Sequence, residues 1–302
     1  MLETMMTNRI QKALQDRHAL LLAAVSLTVG ICMATAQAAE TRKEAKIDIA
    51  AGGTLNIVNN GGSVTLHSGS GRQILVTYVT HSEKIEVDQN TSGNKERVEL
   101  RTHALPNEKP SADEAKVDYD VTVPAGISVN VSTASAPITV EGLNGDIGLS
   151  SETGQITLQN VVKSHVRVRS MTAGVSLKDV TMSRVDLQSA GGAILLNNVS
   201  GQRVTAGTTS GNIEYHGDCS GGGDYILTTH SGAIDVTLPP TASVDLTARS
   251  TTGPVENAFP LQDKPHNSFV PRQGRSFAGT SNSGSSSVEL QSFSGKIRVK
   301  KQ

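Results

Sequence analysis

Glu214 in "SGNIEY" and Asp235 in "SGAIDV" hold the same place in two similar segments. If those segments stack as strands, the two carboxylates lie ~5 Å apart in neighbouring copies. Such a pair could serve as acid and base on a polysaccharide, or hold a Ca²⁺ ion. The rest of that position weakens the case. It reads Thr139, Thr157, Ser176 and Leu195 before the pair and Arg298 after it. Glu214 and Asp235 are thus a weak candidate column, and a solvated face is the favoured account of them.

Other residues capable of chemistry are fewer still. "EYHGDCSGGGDY" gathers His216, Asp218, Cys219 and Asp224 near Glu214. It has no H-x-x-H or C-x-x-C spacing, so the expectation is a Gly-rich turn without a metal. His230 sits where equivalent segments carry Glu152, Met171, Ala190 or Thr209. Such tolerance implies exposure. Arg167 is placed to face Asp186 as a surface ion pair of little energy. No Ser/His/Asp order and no phosphate-loop pattern stands out. The reading assigns no catalytic residue, no metal and no cofactor.

The elements that carry these residues are repeats. After each small or glycine-bearing corner comes an aliphatic: Ile138, Ile156, Val175, Ile194, Ile213, Ile234 and Val255. The spacings are 18, 19, 19, 19, 21 and 21. Nine residues before most of them another alternating strand begins, at Val129, Ile147, Val166, Val185, Val204 and Tyr225. Val288 with Ile297, and Leu55 with Val64, keep that nine; Val244 with Val255 breaks it at eleven, beside Pro254. Alternation of period two marks half-buried strands. A repeat of roughly nineteen residues and two short strands cannot bury itself and must stack on its copies. The fold class is therefore all-β: a parallel β-solenoid of ~19-residue rungs, with an N-terminal antiparallel β cap region. A six-bladed propeller is excluded, because ~19 residues are too few for a four-stranded blade.

Stacking in register demands small corners. One column reads Thr133, Ser151, Ser170, Ser189, Thr208, Thr229 and Ser292. Three residues on come Ala136, Gly154, Ala173, Gly192, Gly211, Gly232 and Gly295. Gly154, Gly192, Gly211, Gly232 and Gly295 are structural, fitting a crowded column and reaching positive φ at little cost. The hydroxyls are expected to bond the turn's own backbone. A second corner is expected after the second strand, at Asn160, Asp179 and Asn198, with Gly142 and Gly217 equivalent; these residues tolerate a left-handed turn.

Three regions follow. Residues 1–38 read as an export signal: basic residues to Arg17, an apolar run from Ala19 to about Met33, then Ala36 and Ala38 as a cleavage site. Residues 39–127 form the N-terminal β region capping the coil. Residues 128–302 carry the solenoid repeats, with an excursion loop at 256–287 that holds Phe259, Phe269 and Phe277 and is expected to fold back along the coil. Cleavage leaves Cys219 as the sole cysteine, read as buried, with no intramolecular disulfide. A formal charge of −1 gives no footing for nucleic acid or an anionic membrane surface. No membrane span is expected once the signal is removed. The chain has four Tyr, four Phe and no Trp, which argues against a deep carbohydrate cleft. Lys300 and Lys301 discourage end-to-end pairing, so a monomer is expected.

The chain resembles the bacterial exported "putative adhesin" domain family of unknown function. "VTVPAGISVNVSTASAPITVEGLNGDI" at 121–147 and the recurring "SGNIEY", "SGAIDV" and "SGKIRV" carry the resemblance. It implies a β-solenoid in an exported protein, periplasmic or at the cell surface. Two functions are compatible with this sequence. One is a non-catalytic adhesin or envelope interaction protein, with an unknown surface polymer or envelope protein as partner. The alternative is a β-helix polysaccharide lyase or hydrolase acting through the Glu214 and Asp235 column.

Overall fold

The structure is a computed structural model describing residues 40–263 and 272–302. The export signal assigned to 1–38 and the side chain of Phe269 lie outside the described residues. The described residues contain no helix; their strands form one sheet of 12 and one of 13.

Alternation decides which side of each strand is buried. His165–Ser170 buries Val166, Val168 and Ser170 and leaves Arg167 and Arg169 exposed. Val175–Thr181 buries Val175, Leu177 and Val180. The first of these strands belongs to the 13-stranded sheet, the second to the 12-stranded sheet, and the next rung repeats the pair at Arg184–Ser189 and Ile194–Val199. Pairing is parallel and in register, Val166 to Val185 and Val175 to Ile194. Buried aliphatics from both sheets make one apolar core.

The left-handed residues do not lie where the sequence placed them. Asn160, Asp179 and Asn198 have φ of 56°, 53° and 54°. They sit inside the second strand of each rung, not after it. The ladder skips them, running from Gln159–Lys178 directly to Val161–Val180. Each is a left-handed kink, repeated at the same place in successive rungs, that resets the alternation so that Val161, Val180 and Val199 point inward. Gly142 is also left-handed, but Gly217 is not; Cys219 takes that conformation two residues later.

The corner column forms with a different cause for its glycines. Oγ of Ser189 accepts from Gly192 N at 2.8 Å, Oγ1 of Thr208 from Gly211 N at 3.1 Å, and Oγ1 of Thr229 from Gly232 N at 3.0 Å. Ser151 with Gly154 and Ser292 with Gly295 do the same. These glycines have ordinary φ. They are required by space: a Cβ on Gly211 would overlap the carbonyl oxygen of Gly192, and one on Gly232 that of Gly211.

Both ends of the coil are interleaved. The rung of Thr54–Asn59 and Gly61–Gly69 pairs directly with Ser128–Thr133 and Ile138–Glu141. Arg97–Ala104 and Lys116–Pro124 stack on its outer side, also parallel. Only beyond them do antiparallel strands appear: Ile85–Thr91 on one sheet, Gln73–Thr80 and Thr41–Asp48 on the other. The cap is therefore antiparallel at its rim and parallel beneath.

At the other end the last rung in sequence is not the last in space. Ser286–Ser292 lies between Asp224–Thr229 and Val244–Ser250, and Ile297–Lys301 between Ile234–Leu238 and Val255–Asn257. Val288 faces Tyr225 on one side and Leu246 on the other. Leu246, not Val244, is the rung's reference residue, and it stands nine before Val255. The irregular eleven was a register error, and Ser250 and Gly253 extend the corner column, with Gly253 N donating to Ser250 Oγ at 3.0 Å. The described parts of the 256–287 excursion, 256–263 and 272–287, include strands. Ser276–Ser281 pairs antiparallel with Val244–Ser250, and Gln262–Asp263 pairs with it in turn. It closes the end of the 13-stranded sheet, with Phe259 buried and Phe277 packed on the core, rather than running along the coil.

Candidate interaction surface

Glu214 and Asp235 are partners in adjacent rungs, as their column predicts. The inserted rung changes what they can do. Arg298 faces Asp235 and grips both its oxygens, Nε to Oδ1 at 2.5 Å and Nη2 to Oδ2 at 2.6 Å. Lys300 Nζ lies 3.8 Å from Oδ1. Glu214 stays exposed, with His216 Nε2 at 3.9 Å. Asp235 already has both oxygens in charge-assisted bonds.

Asp186 sits across from Arg167 in the ladder, but its carboxylate turns to His165 Nε2 at 3.4 Å and Arg184 Nε at 3.8 Å. The expected Arg167 ion pair is absent, and Arg167 has no carboxylate partner among the described residues. The His216, Asp218, Cys219 and Asp224 group does not converge. Cys219 is buried, and burial pushes its thiol up to about 12. His216 and Asp218 are exposed, and Asp224 faces Arg203 Nη2 at 3.5 Å. A different trio does meet: Glu86, Asp88 and His103 bring ligand atoms within 4.8 Å of one another. Glu86 lies opposite His103 on antiparallel strands. That pairing left no trace in residue spacing.

The outer face of the 13-stranded sheet is a polar wall. Along it run Asn130, Gly148, Arg167 and Asp186, and beside them Ser132, Ser150, Arg169 and Gln188. Asn130 Nδ2 donates to Asn56 Oδ1 at 3.1 Å. Missing side-chain bulk at Gly148 leaves a shallow groove of about 440 Å³, edged by Arg167 and Arg169. A second cleft, of about 570 Å³, opens at the far end of the same sheet and turns the corner. His230 and Phe293 stand there stacked, centroids 4.8 Å apart and planes 2° from parallel. His230 is exposed as its column implied. Its ring partner was not visible in the sequence, because the last rung in sequence inserts directly beside Asp224–Thr229 and brings Ser292 into register with Thr229.

A family of known outline has this build. The chain belongs to the Toastrack DUF4097 family, which it matches over residues 53–300. It is 13% identical to a Bacteroides fragilis protein whose crystal structure is that of a "putative adhesin", over 86% of this chain and 97% of that one, with a TM-score of 0.50. That likeness shows the fold. A Clostridium sporogenes "putative cell adhesion protein" is 12% identical over 87% and 100% of the two chains, with a TM-score of 0.27. No curated protein matches the chain.

Proposed function

We propose that this protein is a non-catalytic, exported adhesin or envelope interaction protein, a rigid coil that holds a surface polymer or another envelope protein. The observation that carries this reading is Asp235. The one stacked acid pair of the repeat column has a member locked by Arg298, while the neighbouring sheet offers a long wall of Asn, Ser, Thr and Arg side chains suited to many weak contacts. The export signal read at 1–38 places the protein in the periplasm or at the cell surface. Among the described residues no helix is long and apolar enough to cross a membrane. The described names of the structural neighbours support adhesion. Lys300 and Lys301 lie on an interior strand, between Ile234–Leu238 and Val255–Asn257, and so do not guard the end of the coil as the sequence suggested; a monomer is kept as part of this proposal.

Co-sedimentation with insoluble envelope and extracellular polysaccharides tests this. Retention on at least one polymer is the expected result, and retention on none of them, nor on any envelope protein, overturns it. The lyase or hydrolase reading makes the opposite demand: polymer cleavage that is lost in Glu214→Ala and Asp235→Ala.

A further inference from the structure

The cleft at the His230–Phe293 stack has a composition that names a ligand. Phe293 is 49% exposed, unusual for an aromatic on a coil whose other described rings are mostly enclosed. His230 covers one of its faces. The next rung on the other side carries Thr251 at that position, since Ser292 pairs with Ser250 and Thr252 N bonds Phe293 O at 2.9 Å. A threonine cannot cover a phenyl ring. One aromatic face is left open at the height of a rung, ~4.8 Å above its stacked partner.

Charge around that face is one-sided. Arg249 projects from the outer sheet beside it and has no carboxylate or hydrogen-bond partner among the described residues. The nearest acid in the ladder, Glu289, accepts a hydrogen bond from Gln291 Nε2. Arg275, from the excursion, adds a second guanidinium at the rim by donating to Thr251 O at 2.5 Å. Among the described residues no carboxylate lines the cleft; the remaining polar walls include Thr228 and Gln291.

We infer that this cleft binds a carboxylate-bearing pyranose, a hexuronate unit of an acidic polysaccharide. The C–H face of the sugar ring would lie on the open face of Phe293. The carboxylate would meet the unpaired fork of Arg249, which recognises planar anions in bidentate geometry. Ring hydroxyls would face Thr228, Thr251 and Gln291. A neutral sugar would leave Arg249 unanswered, and an acidic peptide would leave the phenyl face without a ring to cover it. The inference rests on the adhesive reading and gives it a ligand class.

The test is calorimetric titration of the purified protein with trigalacturonate, beside cellotriose and tri-aspartate as neutral and peptide counterparts. Trigalacturonate should bind at least tenfold more tightly than either. Arg249→Met and Phe293→Ser should each weaken it tenfold or more, while Lys178→Met, an exposed residue of the other sheet outside both clefts, changes nothing. Both changed residues are exposed, so an unaltered melting temperature will show that the fold is kept. Equal binding of tri-aspartate, or affinity indifferent to Arg249→Met and Phe293→Ser, overturns the inference. Polymer retention separates the two levels. Retention that persists while trigalacturonate fails to bind removes this site and leaves the adhesive reading standing; loss of all retention removes both.

Discussion

Arg298 holds Asp235 through both carboxylate oxygens, at 2.5 and 2.6 Å, across two strands 63 residues apart in sequence. The pair engages one of the two acids of the Glu214 and Asp235 column. Asp235→Asn should therefore leave polymer retention intact and lower the melting temperature only modestly, since partly exposed ion pairs are worth little. Thermal melts and co-sedimentation of the variant check this together.

The corner column sets the tightest limit on substitution. Gly211→Ala should cost about 1–3 kcal/mol, the usual penalty for forcing a group into a filled site. Gly207→Ala, whose nearest neighbour to an added Cβ is Leu187 O at 4.0 Å, should stay within about 0.5 kcal/mol of wild type. Urea unfolding of the two variants gives the comparison.

A different residue class answers to backbone conformation. Asn198 lies at φ 54° and donates from Nδ2 to Asp179 Oδ1 at 2.7 Å. Asn198→Val should cost about 1–2 kcal/mol from the left-handed strain alone. Asn198→Gly should cost less, because glycine adopts that conformation freely. Reversal of that order in urea unfolding would contradict the left-handed kink.

Cys219 gives a pH dependence of known sign. Burial pushes its thiol up to about 12, whereas an unfolded cysteine ionises near ~8.5. Between those values the unfolded chain has lost a proton that the folded chain keeps. The Cys219 contribution to stability should be constant below about pH 8 and fall as pH rises toward 12. Tyr119, also raised to about 12 by burial, adds to the fall at the alkaline end. Cys219→Ala should reduce the slope. A disulfide reagent should label Cys219 only when the protein is unfolded.

The rung repeat and the inward residues were legible because each rung must solve the same packing problem, and the solution recurs in the letters. Hydroxyl-to-glycine turns were legible for the same reason. What escaped the sequence is the order of stacking. Val288 pairs equally well with Tyr225 or Leu246, and nothing in the residues says that it lies between them. His230 and Phe293, and Asp235 with Arg298, are neighbours only through that choice. The glycine column is required by crowding and not by positive φ. Crowding by the neighbouring carbonyl and a need for positive φ select the same amino acid, and only coordinates separate them.

Interleaving makes its own prediction. Chain termini ordinarily fray and exchange amide hydrogens quickly. Here the amides of Val288, Leu290 and Val299 should be protected like those of the central rungs, and better than those of Val255 and Glu256 on the outer rung. Hydrogen exchange read by mass spectrometry resolves these segments. Fast exchange over 286–302 would contradict the insertion.

The central claim is that this coil holds a polymer without cutting it. Its most direct test is the chain length of acidic and neutral envelope polysaccharides, followed over time with the purified protein present. The account predicts retained protein and unchanged polymer length. Progressive shortening, abolished by Glu214→Ala, would contradict it and make the acid column an active site.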